Sequence, residues 1–271
     1  MLKDPKVGAL CAAVVWIVFI FAAFKGLQFW YAGFVFFFWL SLAFLNYCHS
    51  TSFWIAQHTP WRFLRFYLAL FAVGFIGDFV IGQNIAHLWS YPHYNSFVEW
   101  ATLYAISYPF GGLSILELSF FLGYIFHEKF VYLPRVHMSA AHYVDKLDHA
   151  VDTLLAALLL GGSALYLYGI HTGLAKSIVY LFLLWAVLTT VKLAYHLRHG
   201  IHWIALFCAV LFISVLLHEV PNTAVFEWEY YTAPILNFLI FEIPAWVFLG
   251  WYLMLLVMYR LWLRLILQKR I

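Results

Sequence analysis

Eight stretches of this chain are apolar over the length of a bilayer-crossing helix, and that feature leaves few folds open. A helix needs about 20 apolar residues to cross the hydrocarbon core, and windows of that kind fall near residues 7–24, 28–46, 63–81, 101–126, 150–168, 177–195, 201–217 and 233–260. In lipid every backbone polar group must find its partner within the spanning structure. The expected fold class is therefore all-α: a polytopic membrane protein of about eight transmembrane helices. Of the 271 residues only 10% are charged, against about 25% in ordinary soluble domains. No stretch remains for a separate soluble domain, so residues 1–271 read as one transmembrane domain. A net charge of +3 is too small to point to nucleic acid. The expected setting is integral and multi-pass among membrane lipids, with the host membrane and any oligomer left open.

Charge placement predicts the orientation. With the N-terminus inside, the inner segments hold Lys3, Lys6, Arg62, Arg65, Lys129, Arg135, Lys146, Lys192, Arg198, Arg260, Arg264, Lys269 and Arg270, and the outer side keeps only Lys25 and Lys176. An excess of Lys and Arg marks the inner side, and a shift by one helix would abolish this one. Eight spans with both termini inside is the reading. The first apolar run, longer than the roughly 7–15 residues of a signal-peptide core, reads as a retained span. Cys11, Cys48 and Cys208 are scattered and form neither a disulfide framework nor a CxxC pair.

The unusual residues recur in order. Asp78 ends span three, Trp89-Ser90-Tyr91 follows, then Pro109 and, eight residues later, Glu117. Glu219 ends span seven, Trp228-Glu229-Tyr230 follows, then Pro234 and, eight residues later, Glu242. Two four-helix halves, 1–126 and 150–271, would account for that order. Chance accounts for it as well, since Trp and Tyr gather at both membrane interfaces.

These carboxylates supply the first chemical constellation. A charge at the centre of a span costs about 2.5–3.5 kcal/mol on insertion scales, so Glu117 and Glu242 should face the bundle interior. With Asp78 and Glu219 they are the candidate catalytic residues: a protonated acid can protonate a substrate, and an ionised partner can remove a proton afterwards. Trp89, Tyr91, Trp228 and Tyr230 would bind the substrate and offer π faces to a carbocation. Such a site needs no cofactor. It suits cyclisation or isomerisation of a polyene or prenyl chain already dissolved in the bilayer. The plain alternatives are that each Glu bonds a neighbouring helix, lines the proton path of a transporter, or belongs to a cofactor-holding subunit.

The order Asp78, Trp89, Tyr91, Pro109, Glu117 resembles the small integral-membrane lycopene and terpene cyclases of the heterodimeric or fused type. The resemblance covers spans three and four and, more loosely, seven and eight. It implies two related helical halves and ring closure of an isoprenoid end group without net redox change. The family's P-x-E-[ED] cluster is replaced here by Leu116-Glu117-Leu118 and Glu242-Ile243-Pro244.

A second constellation lies on the inner side. His142, Asp145, His149 and Asp152 are spaced i, i+3, i+7 and i+10, one face of a helix. With His196, His199 and His202, and with His49 and His58 after span two, they could hold iron or zinc. This histidine-rich inner face is similar in composition to membrane di-iron desaturases and hydroxylases, whose compact histidine boxes it lacks. Asp145, Asp148 and Asp152 together are similar to the first Asp-rich motif of intramembrane prenyltransferases, which implies magnesium and a diphosphate. The ordinary reading is that acids early in a helix favour its positive end.

Overall fold

The computed structural model describes residues 4–49, 60–126, 141–168, 175–196, 200–233 and 236–265. Helices dominate: α1 (Pro5–Phe24), α2 (Trp30–Cys48), α3 (Pro60–Gly74), α4 (Phe97–Thr102), α5 (Tyr108–Ile125), α6 (Ala141–Leu167), α7 (Ala175–His196), α8 (Gly200–Val225) and α9 (Ala245–Leu265). Two π-helical segments, Phe75–Ile85 and Leu103–Ser107, continue α3 and join α4 to α5. Six helices among the described residues are long and apolar enough to cross a membrane: Pro5–Phe24, Trp30–Cys48, Pro60–Ile85, Phe97–Ile125, Ile204–Val225 and Ala245–Trp262. The fifth and sixth windows are helical too, with shorter described apolar stretches, Asp152–Leu165 and Tyr180–Val191.

Local chemistry explains the boundaries. Asp4 caps α1 by accepting from the Lys6 backbone N–H at 2.9 Å, and Pro5 opens the helix where a missing N–H costs nothing. α1 lies along α2, and Gly33 sets the approach: a Cβ there would sit 2.2 Å from the Phe19 ring. Leu10, Val14, Val18 and Phe21 of α1 point outward and stay exposed, an apolar surface of the kind that faces lipid. The main core is made by Trp39, Phe66, Leu113, Trp185, Phe207 and Leu256, from α2, α3, α5, α7, α8 and α9.

One expected boundary moves. The eighth window began near 233, but α9 begins at Ala245, directly after Pro244. The residues before it include a two-stranded hairpin, β3 (Leu239–Ile240) against β4 (Ile243–Pro244). Its turn residues Phe241 and Glu242 both have positive φ, 51° and 64°, as a two-residue type I′ turn requires. Glu242 thus caps a surface hairpin and is exposed, where the sequence reading had it pointing inward from a span.

The second ribbon matters more. β1 (Trp89–Ser90) pairs antiparallel with β2 (Glu229–Tyr230), Trp89 opposite Tyr230 and Ser90 opposite Glu229. The two W-x-Y motifs are therefore paired with each other, related by a local two-fold through the Ser90–Glu229 pair. Such pairing is self-complementary: what the first motif does to the second, the second does to the first.

Candidate functional site

Side chains two apart on a strand share a face, so each motif presents its Trp and its Tyr together. In the first half both reach Asp78. Trp89 Nε1 donates to Oδ1 at 2.5 Å and the Tyr91 hydroxyl to the same oxygen at 3.1 Å. In the second half both reach Glu219: Trp228 Nε1 donates to Oε2 at 3.0 Å and the Tyr230 hydroxyl to Oε1 at 2.7 Å. Each carboxylate lies one to two turns before the end of its helix, so the chain folds back to place the motif over the acid.

The halves complete their nests differently. Asp78 sits in the π-helical segment Phe75–Ile85, where i→i+5 bonding such as Ala86 N to Ile81 O at 2.7 Å replaces the α pattern. That winding brings Gln83, five residues on, to Asp78 Oδ2 at 2.7 Å. The Tyr104 hydroxyl donates to the same oxygen at 2.7 Å from the second π segment. Pro109, lacking an N–H, opens α5 just after that segment and accounts for the widened turn. Gly82 lets the indole in, because a Cβ there would lie 2.1 Å from Trp89. On the other side α8 stays α-helical and carries Pro221 inside it, and the third donor to Glu219 is Trp251 Nε1 of α9 at 2.7 Å.

Both nests open on one cavity of about 300 Å³. Its wall includes Asp78 and Glu219, all four W-x-Y aromatics, and Tyr31, Trp246 and Trp251. Trp89 stacks on Trp246 with ring centres 6.0 Å apart, and the Tyr91 and Trp228 rings lie tilted at 57° to each other with centres 6.4 Å apart. Away from the ribbon the wall becomes aliphatic along α3, α5 and α9, through Leu70, Gly112, Val257 and Met258. Trp246 and Met258 are twelve residues apart on α9, so at 1.5 Å per residue the lining extends about 18 Å along the bundle. The volume lies at the low end of the 300–1,000 Å³ of small-molecule sites. A cavity of this shape takes one end of a long apolar molecule.

The structure redistributes the predicted residues. Glu117 is inward and fully buried as expected, but it is absent from the cavity wall: Asn46 Nδ2 of α2 donates to its Oε2 at 2.6 Å and to its backbone oxygen at 2.8 Å. It ties α2 to α5, the structural role that polar groups play between apolar helices. Of the four candidate acids, Asp78 and Glu219 hold the cavity, while Glu117 and Glu242 do not.

On the other constellation, Asp152 is engaged by Arg260, whose Nε donates to Oδ1 at 2.8 Å and whose Nη2 contacts the same oxygen. His149 is exposed, and His49 stacks on Tyr124 with ring centres 4.2 Å apart. His58 and His199 lie outside the described residues, as do the side chains of His142, Asp145, Asp148, His196 and His202. Among the described residues no cluster of three or more His, Cys, Asp or Glu could hold a metal ion.

Several partners were not singled out from sequence. Tyr104, Gln83 and Trp251 complete the nests, and only the π winding and the tertiary fold bring them there. His218, beside Glu219, is fully buried among Phe34, Phe38 and Trp251, with Nδ1 2.7 Å from the Tyr31 hydroxyl. Glu227 is buried in the loop before the ribbon, where it accepts from the Tyr94 hydroxyl at 2.5 Å and lies against the backbone N–H groups of Phe29, Trp30 and Tyr31 at the start of α2. Burial pushes its carboxyl up to about 7, even though those donors favour the charge. Burial also raises the Tyr91 and Tyr230 hydroxyls well above the usual phenol value, so both donate as neutral groups.

Comparison with known proteins found no matching family model, no curated protein and no solved structure similar to this chain.

Proposed function

We propose that this chain crosses the membrane eight times with both termini inside, and that it is an enzyme acting by acid–base chemistry on the end group of a membrane-dissolved polyene or prenyl lipid. The observation that carries the reading is the pair of carboxylates, Asp78 and Glu219, each held by a Trp and a Tyr of one shared ribbon and both bordering a single apolar, aromatic cavity. The cavity supports the substrate class: its far end is aliphatic and its chemical groups are confined to one end. A long hydrocarbon would enter with its terminus between the two acids.

The chemistry follows from the groups available. A protonated carboxyl adds its proton to a terminal carbon–carbon double bond, leaving a tertiary cation that the surrounding indole and phenol faces stabilise. A second double bond attacks that cation and closes a ring. Loss of a proton from the neighbouring carbon to a carboxylate then restores a double bond. Atoms and electrons balance within one molecule, and the product is an isomer of the substrate. No cofactor is required. Intramembrane carboxylates would also serve a proton-coupled transporter or a cofactor-holding subunit, and iron, zinc or magnesium chemistry would draw on the His142–Asp152 segment.

The deciding experiment supplies membranes containing the protein with a linear polyene or prenyl lipid. A cyclic or rearranged product of unchanged mass is expected, insensitive to chelators and lost in Asp78→Asn and Glu219→Gln. Product that has gained oxygen or lost two hydrogens would move the chemistry to the inner histidines. Full activity in both variants would end the reading.

A further inference from the structure

A carboxylate offers about four lone-pair sites to donors, and how many are taken distinguishes an acid that stays charged from one that carries a proton. Asp78 has five donors within reach: Gln83 Nε2, Trp89 Nε1, and the hydroxyls of Tyr91, Tyr104 and Tyr108. Indole and primary amide N–H groups can only donate, so protonating Asp78 would displace bonds that have no alternative acceptor on it. Glu219 receives three donors among the described residues, Trp228, Tyr230 and Trp251, and keeps one site for a proton of its own. Hydrogen bonds to the charged form favour that form. The donor sets therefore divide two acids that the sequence alone makes equivalent.

No Lys, Arg or His lines the cavity among the described residues, and every donor to Asp78 is neutral. A carboxylate without a cationic partner, in an apolar cavity walled by indole and phenol rings, is what an onium ion seeks.

We propose that the cavity is a receptor for a cation carried on an apolar chain, with Asp78 as the fixed counter-charge and Glu219 as the proton carrier. It would take a tertiary or quaternary ammonium amphiphile as it would take the carbocation of the reaction. The division of labour rests on the catalytic reading above; ammonium binding does not. Under that division Glu219 gives its proton to the substrate, forming a C–H bond, and its carboxylate later recovers a proton from the neighbouring carbon. The proton cycle closes on one residue, and Asp78 ends each turnover as it began.

The test uses the full-length protein in maltoside micelles, free of choline lipids, with hexadecyltrimethylammonium as the probe. Hexadecanol and the uncharged analogue bearing tert-butyl in place of trimethylammonium serve as controls, and binding is followed by tryptophan emission and by the shift in melting temperature. Saturable binding of the ammonium at least tenfold tighter than either control is expected. Glu219→Gln should bind within about threefold of wild type, and Asp78→Asn should lose at least tenfold. Equal losses in the two variants, or an Asp78→Asn protein that binds like wild type, would overturn the assignment. Should Asp78→Asn not fold, the comparison of charged and uncharged probes on wild type still decides: equal affinities refute the receptor. Ammonium binding without any isomerase activity would leave the cation receptor standing and remove the catalytic reading together with the division of labour. Isomerase activity without ammonium binding would do the reverse.

Discussion

Asp78 and Glu117 are both buried carboxylates on apolar helices, and they occupy opposite kinds of surroundings. Asp78 lies in a π-helical segment on the wall of a cavity, ringed by five donors from three parts of the chain. Glu117 lies in regular α-helix at the α2–α5 seam, away from that cavity, with Asn46 spanning its side chain and its backbone oxygen. Burial alone therefore does not mark a site. What separates the two is open space beside the acid, and an irregular backbone that brings donors from several elements while leaving that space.

The largest effect should come from exchanging carboxylates for amides on the two sides of this comparison. Asp78→Asn and Glu219→Gln should each lower isomerisation by at least about 10²-fold, the lower end of what a general acid contributes at Glu219 and of what a preorganised charge contributes to a developing cation at Asp78. Glu117→Gln should keep activity within a fewfold, because the amide still bonds across the seam. Turnover of each variant in membranes, normalised to folded protein, checks this. A Glu117→Gln protein as inactive as Asp78→Asn would erase the distinction between the two acids.

A third buried carboxylate sharpens it through pH. Glu227 lies outside the spans, and burial pushes it up to about 7 from an ordinary 4.5. The unfolded chain releases this proton near 4.5, whereas the folded protein keeps it until about 7. Between those values the folded state binds more protons, so stability falls as pH rises through the window. At about 1.36 kcal/mol per unit, the loss across it is about 3 kcal/mol. Glu227→Gln should remove most of that slope. Melting of both proteins in detergent from pH 4.5 to 7.5 measures it, and parallel curves would show that Glu227 is not the titrating group.

How far this arrangement could be read from sequence depends on what each signal physically reports. The apolar windows located the long helices because length and hydropathy are what a bilayer demands. The repeated acid and W-x-Y motif located both nests, since Trp and Tyr two apart must share a strand face. The same repeat misled in its second part. Pro109 to Glu117 and Pro234 to Glu242 match in spacing, but Glu117 is in α5 and Glu242 is in a hairpin turn. Hydropathy cannot tell an apolar hairpin from the first turns of a helix; Pro234 and Pro244 were the only local warnings. Gln83 and Tyr104 were illegible because an α-helix would turn residue i+5 away from i, and the π winding that aligns them depends on packing.

Opening the α2–α5 seam should have a smaller effect. Asn46→Leu removes both hydrogen bonds from Asn46 to Glu117 and should destabilise the protein by about 1–3 kcal/mol, the cost of leaving a buried polar group short of partners. Activity per folded molecule should be nearly unchanged. Melting temperature and turnover measured on one preparation separate the two effects, and a specific loss of turnover would tie the seam to the chemistry.

The smallest expected change tests the relocated Glu242. As a turn residue it needs only a backbone that tolerates φ near 64°, which costs a side-chain-bearing residue about 1–2 kcal/mol and glycine almost nothing. Glycine also loses more conformational freedom on folding, by about 0.5–1 kcal/mol, so Glu242→Gly should stabilise the hairpin by about 1 kcal/mol or less. Glu242→Pro should destabilise it instead, because the ring holds φ near −65°. Neither change touches the cavity wall, so the glycine variant should turn over substrate at the wild-type rate. If Glu242→Gly abolished activity in a protein that melts at or above the wild-type temperature, the hairpin carboxylate would have to join Asp78 and Glu219 in the chemistry, and the contrast between acids that border the cavity and acids that do not would fail.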